Sequence, residues 1–146
     1  MDALRISTDR SELDVDMIHR FLAQDAYWSP GIPRATVERA IAGSLCFGGY
    51  VDGAGQVAFG RVITDAATFG YLADVFVLPS HRGRGHGRAL VEAMLAHPQL
   101  QGLRRLMLAT SDAHGLYAGF GFEVAKPGKL MEIVHLDPYR TATAAA

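Results

Sequence analysis

The chain has 146 residues, 49% hydrophobic and 20% charged, with a formal net charge of -1. That length fits one domain around one core, the hydrophobic share excludes general disorder, and near-neutrality argues against a nucleic-acid binder, which carries a strong basic excess. No apolar run reaches the ~18–20 residues of a membrane-spanning helix, and the opening MDALRISTDR has no apolar signal-peptide core. The single cysteine, Cys46, allows neither an internal disulfide nor a cysteine-based zinc cluster. A soluble cytoplasmic protein with no metal and no nucleic-acid or membrane partner is the expectation.

Residues 3–7 (ALRIS) read as a first strand. Val15, Ile18 and Leu22 stand at i, i+3 and i+7, the spacing of an amphipathic helix over 14–24. Ser29-Pro30-Gly31-Ile32-Pro33 is a loop, and Val37 and Ile41, four apart, mark a short helix over 34–42. LCFGGYV, then Asp52-Gly53-Ala54-Gly55, then QVAFGRVI reads as a hairpin, because these turn residues tolerate positive φ. Thr64-Asp65-Ala66-Ala67 turns the chain into the strand TFGYLADVFVL, which Pro79 ends for want of an N–H. A loop of glycines and arginines runs into the helix GRALVEAMLAHP. A strand at RRLMLAT, a short helix around DAHGLYAGF and two further strands at GFEVA and KLMEIVH complete the series. The predicted order is β-α-α-β-β-β-α-β-α-β-β, an α/β (α+β) layer architecture with a mixed, mostly antiparallel sheet. One domain is expected over 1–140, with 141–146 as a loose tail.

Positive charge is concentrated at one place. Arg82, Arg84 and Arg88 alternate with Gly83, Gly85 and Gly87 between a strand and a helix. The first turn of a helix has N–H groups without partners at the positive end of its dipole, and glycine lets the backbone approach a ligand closely. Arginines add charge-assisted contacts, so the segment suits a small anion, a phosphate or pyrophosphate. It is not a P-loop, because no Lys-Ser or Lys-Thr follows the last glycine. A dinucleotide-binding turn matches by spelling, but that turn normally follows the first strand of a βαβ unit. A flexible turn with solvated arginines is the remaining alternative.

With Val77-Leu78-Pro79 before it and Leu116-Tyr117-Ala118-Gly119-Phe120-Gly121-Phe122 after it, the loop Arg82-Gly83-Arg84-Gly85-His86-Gly87 resembles the signature of the GNAT superfamily of acyl-CoA-dependent N-acetyltransferases. The element order is also that family's. The resemblance implies acetyl-CoA as cosubstrate, with its pyrophosphate on Arg82, Gly83, Arg84, Gly85, His86, Gly87 and Arg88. It implies backbone pairing of the pantetheine arm with Phe76, Val77 and Leu78, where the strands over 70–78 and 104–110 splay apart. A primary amine of a small molecule, peptide or protein then attacks the thioester directly in a ternary complex. No metal is implied, and dimers are frequent in the family, so a homodimer is admitted.

The same resemblance assigns Tyr117 as the acid beside the leaving sulfur; the alternative is a core aromatic on a short helix. Asp74 is out of place in YLADVFVL, because an unpaired buried carboxylate is costly. It is a candidate base or amine anchor, or a partner of nearby backbone. Family members acting on polyamines and similar amines often carry Glu-Asp where this chain has Ala73-Asp74, which puts a direct base in question. Tyr27 and Trp28 form either an aromatic wall for the acceptor or a plug that anchors their loop. His81 is a neighbour of the phosphate site, while Asp112 and His114 lie near the expected cleft. The competing function is a catalytically silent acyl-CoA sensor, which retention of Tyr117 disfavours.

Overall fold

The computed structural model describes residues 3–139. Its hairpin signals act as turns: Ala54 N–H closes on the Val51 carbonyl at 3.0 Å, and Asp65 collects the N–H groups of Ala67, Thr68 and Phe69. These turns join β2 (Leu45–Val51), β3 (Gly55–Thr64) and β4 (Phe69–Val77) into an antiparallel meander. β1 (Arg5–Ser7) pairs antiparallel with β2, and β5 (Arg105–Met107) pairs parallel with β4, giving one sheet ordered β1-β2-β3-β4-β5. The mixed, mostly antiparallel architecture expected from the sequence is the one observed.

Helices cover both faces. Asp14 caps α1 (Val15–Arg20), accepting from Met17 N–H at 3.1 Å. The helix widens into a π-type turn, where Ala26 N–H reaches back to Phe21 at 2.9 Å. This turn and α2 (Arg34–Ala42) bury Ile18, Phe21, Leu22, Val37 and Ile41 with Phe59 and Phe76 on one face of the sheet. On the other face α3 (His86–Ala96) and α4 (His114–Ala118) bury Leu90, Val91, Met94 and Tyr117 with Phe47, Val62 and Leu72.

A single irregularity in β4 shapes the site. Phe59 faces Phe76 and Arg61 faces Ala73, so Asp74 and Val75 together oppose Gly60: a β-bulge. Asp74 takes φ 53°, a left-handed conformation that asparagine and aspartate tolerate better than other side chains. The extra residue reverses the alternation of the strand. Leu72 packs with α3, whereas Phe76, of the same parity, packs with α1 and α2. Gly60 makes the bulge fit, since a Cβ there would lie 2.9 Å from Met94 Sδ.

The two strands expected at GFEVA and KLMEIVH are not formed: among the described residues no strand follows α4. A strand needs an edge to pair with. Only three residues of β5 are paired, and Leu108–Thr110 leave the sheet before offering one. Val124, Met131, Ile133, Val134 and Leu136 consequently lie exposed. The segment stands off β5 across a cavity of about 840 Å³ lined by Leu106, Leu108, Phe122 and Leu130. The tail 141–146 lies outside the described residues.

Candidate active site

Parallel strands direct their carboxyl ends the same way, and β4 and β5 pair only from Phe69 to Tyr71. Beyond that point they separate. The gap is a cavity of about 340 Å³ between Leu72–Val75 on one side and Leu108–Thr110 on the other. Ligands in open α/β sheets bind at such openings outside the carboxyl ends of strands.

The aromatic loop after α1 closes one wall. Three bonds fix it: Ser29 Oγ donates to Leu22 O at 2.8 Å, Gly31 N–H to Ala23 O at 2.9 Å, and His19 Nε2 meets Ile32 O at 2.9 Å. Tyr27 and Trp28 then stand edge to face, centroids 5.0 Å apart, and both line the cavity. Trp28 Nε1 donates to Asp74 Oδ1 at 2.9 Å, while Arg61 Nε donates to Asp74 Oδ2 at 2.7 Å. Arg61 also reaches Ser44 Oγ at 3.0 Å. Both oxygens of Asp74 are therefore engaged, and the Arg61 and Asp74 side chains are only 16% and 12% exposed. Across the cavity Tyr27 Oη accepts from Ser111 N–H at 3.1 Å, which ties the aromatic loop to the chain entering α4.

Tyr117, on α4, borders the same cavity. Burial pushes its phenol above the ordinary tyrosine range, and the Asp112 charge and the Tyr27 phenol add to the effect. The phenol stays protonated through neutral pH, as a proton donor must. Its hydroxyl makes no hydrogen bond among the described residues.

The glycine loop starts α3 at the end of β4, where a Cβ on Gly87 would lie 3.8 Å from Val77 Cγ2. Gly83 and Gly85 take φ +77° and +82°, and a Cβ at either would enter open space. No side chain caps the 11-residue α3. A cradle of backbone, open on its outer side at the positive end of a helix, fits a pyrophosphate.

A family model, the acetyltransferase (GNAT) domain, matches residues 42–124. The chain belongs to the GNAT acetyltransferases. A Gibberella zeae protein named among the acetyltransferases is 38% identical, the match covering 77% of this chain and 74% of that one. A GNAT-family structure from Xanthomonas campestris is 60% identical with a TM-score of 0.91, covering 95% of this chain and 98% of its own. An acetyltransferase structure from Clostridium acetobutylicum, solved with acetyl-CoA, shares the fold at 15% identity and a TM-score of 0.65, covering 92% and 96%.

Within this GNAT fold the sequence-derived residues fall into two groups. Tyr27, Trp28, Asp74 and Tyr117 meet in one cleft. Phe76, Val77 and Leu78 lie where β4 has parted from β5, and Arg82 through Arg88 form the loop beyond and the first turn of α3. Their side chains differ from the simplest picture. Arg82 Nε donates to Val77 O at 2.9 Å, and the Arg88 guanidinium lies 5.3 Å from the centre of the Phe120 ring. His86 is buried, with its Nε2 unpartnered, so it offers the loop only its backbone. Arg61 was not singled out by its sequence. The signal was there: an arginine inside the apolar strand QVAFGRVI, answering an aspartate inside YLADVFVL.

Proposed function

We propose that the protein transfers an acetyl group from acetyl-CoA to a primary amine of a small molecule or peptide, by direct attack with both substrates bound. The observation that carries this is the cleft between β4 and β5, with Tyr117 on one side, the Tyr27–Trp28 wall on another and the glycine loop at its end. Bound acetyl-CoA supplies an acyl thioester: the amine lone pair forms the C–N bond, the C–S bond breaks, and sulfur leaves with the C–S bonding electrons and takes a proton.

The amides of Gly83 to Gly87 and the start of α3 hold the pyrophosphate. The stretch Phe76–Leu78 receives the pantetheine arm along the edge of β4 that has parted from β5, although the Leu78 N–H is given to Val57 O at 2.8 Å and Val77 O accepts from Arg82. Tyr117 holds the proton for the sulfur at Oη, kept there by burial. Asp74 accepts from Arg61 and Trp28 at once, which suits it to hold the aromatic wall; the amine's proton leaves through water in the cleft.

Release of free thiol from acetyl-CoA, followed with a thiol-reactive dye, tests the proposal. Cys46 is 2% exposed and burial raises its thiol pKa, so the protein itself contributes little signal. Amine-dependent release with intersecting initial-rate patterns is expected. Parallel patterns would overturn direct attack. Coenzyme A binding without release across alkylamines, amino acids and peptides would favour the silent sensor.

A further inference from the structure

The cleft has a lopsided supply of charge. Among the described residues that line it, the charged side chains are Arg61, Asp74 and Asp112. Arg61 and Asp74 bind each other at 2.7 Å and cancel. Asp112 is exposed, and its carboxylate makes no hydrogen bond or ion pair with a described residue. The lining therefore has one uncommitted negative charge and no uncommitted positive one. It also presents five aromatic rings, Tyr27, Trp28, Tyr71, Tyr117 and Tyr139, whose faces are electron-rich.

A carboxylate beside aromatic faces recognises an organic cation. A phosphate or carboxylate on the acceptor would find no uncommitted counter-charge among the described residues of the lining and would face Asp112. The nitrogen that reacts must be uncharged when it attacks, so a lining that favours a lasting cation serves some other group of the same molecule. Asp112 and the Tyr27 ring are placed to act together, because Tyr27 Oη is bound to the N–H of Ser111, the residue before Asp112. Both also raise the pKa of the Tyr117 phenol, after burial, so both stand beside the same side chain. A cavity of about 340 Å³ has room for on the order of ten water-sized groups, enough for a short chain.

Resting on the acetyl-transfer proposal above, we infer that the acceptor is a small amine with a second cationic group and no phosphate or carboxylate. Its distal ammonium sits between the Tyr27–Trp28 rings and the Asp112 carboxylate.

A matched series isolates the charge: pentane-1,5-diamine, hexylamine and 6-aminohexanoate have similar length and differ at the far end. The expected kcat/KM falls about tenfold from the diamine to hexylamine, and further to the carboxylate. In Asp112→Asn the diamine's advantage shrinks to within about twofold, through a higher KM. Trp28 is the single tryptophan, so its emission reports binding without turnover. It should respond to the diamine at concentrations where 6-aminohexanoate has no effect. Three results would overturn the inference: 6-aminohexanoate matching the diamine, a diamine advantage unchanged in Asp112→Asn, or loss of kcat for every amine in that variant with recovery at high pH. The last would make Asp112 a base. Thiol release from all amines alike sinks this inference alone. Absence of release from every amine sinks the acetyl-transfer proposal, and the Trp28 titration still decides the cation site.

Discussion

Tyr117 and Asp74 are both polar groups in a mostly apolar setting, and their surroundings give them opposite tasks. Tyr117 has no hydrogen-bond partner among the described residues and a phenol pKa raised by burial, so its proton is available and persists to higher pH than an ordinary tyrosine's. Tyr117→Phe should lower kcat about a hundredfold and leave coenzyme A affinity nearly unchanged, measured by thiol release and by titration. An unchanged kcat would remove Tyr117 from the chemistry. Asp74 is saturated by Trp28 and Arg61. Asp74→Asn leaves a largely buried guanidinium without its counter-charge, at a cost of about 1–3 kcal/mol. A lower melting temperature, a shifted Trp28 emission and a higher amine KM are expected, with the pH–rate profile keeping its shape. Loss of kcat at neutral pH with recovery at high pH would instead make Asp74 the base.

Among the elements, the β3–β4 turn shows how local chemistry sets register. Asp65 accepts from the Thr68 hydroxyl and from the N–H groups of Ala67, Thr68 and Phe69, and these bonds, the Thr68 hydroxyl foremost, hold its carboxyl well below the usual carboxylate range. A depressed pKa means that the folded state prefers the ionised form. Its contribution to stability is complete above the unfolded pKa and is lost as pH falls through the folded one. Asp65→Asn should therefore melt lower than the parent at pH 7, and the difference should shrink on acidification below about pH 4. A difference that does not change with pH would show that the carboxylate charge has no part in the turn.

For the whole molecule, the open side of the sheet is where apolar side chains meet solvent. Residues Val124, Met131, Ile133 and Leu136 are each more than four-fifths exposed, beside the short edge of β5. Several large apolar side chains exposed in one segment are uncommon on a monomer and mark an interaction surface. The covering proposed here is a second copy of the chain, pairing through this segment about a two-fold axis. Light scattering on the purified protein should give a dimer, and Ile133→Lys should give a monomer. A parent protein that is monomeric at micromolar concentration would refute this arrangement.

Much of the fold was legible in the residues. Period-3.6 patterns located the helices, and Asp-Gly turns and Pro79 bounded the first strands, because each depends on local backbone preference. The glycine–arginine loop was legible as an anion cradle from backbone chemistry, whereas the Leu116–Phe122 run pointed to the cleft only through its resemblance to the GNAT signature. Failure came at GFEVA and KLMEIVH, where apolar content suggested strands and no edge was available to pair with. The bulge was also hidden, since YLADVFVL reads as one unbroken apolar strand with a single aspartate in it. One extra residue opposite Gly60 turned Asp74 towards Arg61 and Trp28 and moved Phe76 to the other face of the sheet. Local patterns record what a segment prefers, whereas register and partner choice depend on residues far along the chain. The near-neutral total charge is the plainest case: Asp74 and Asp112 count as the same unit of negative charge, and only placement pairs one with the largely buried Arg61 and leaves the other uncommitted.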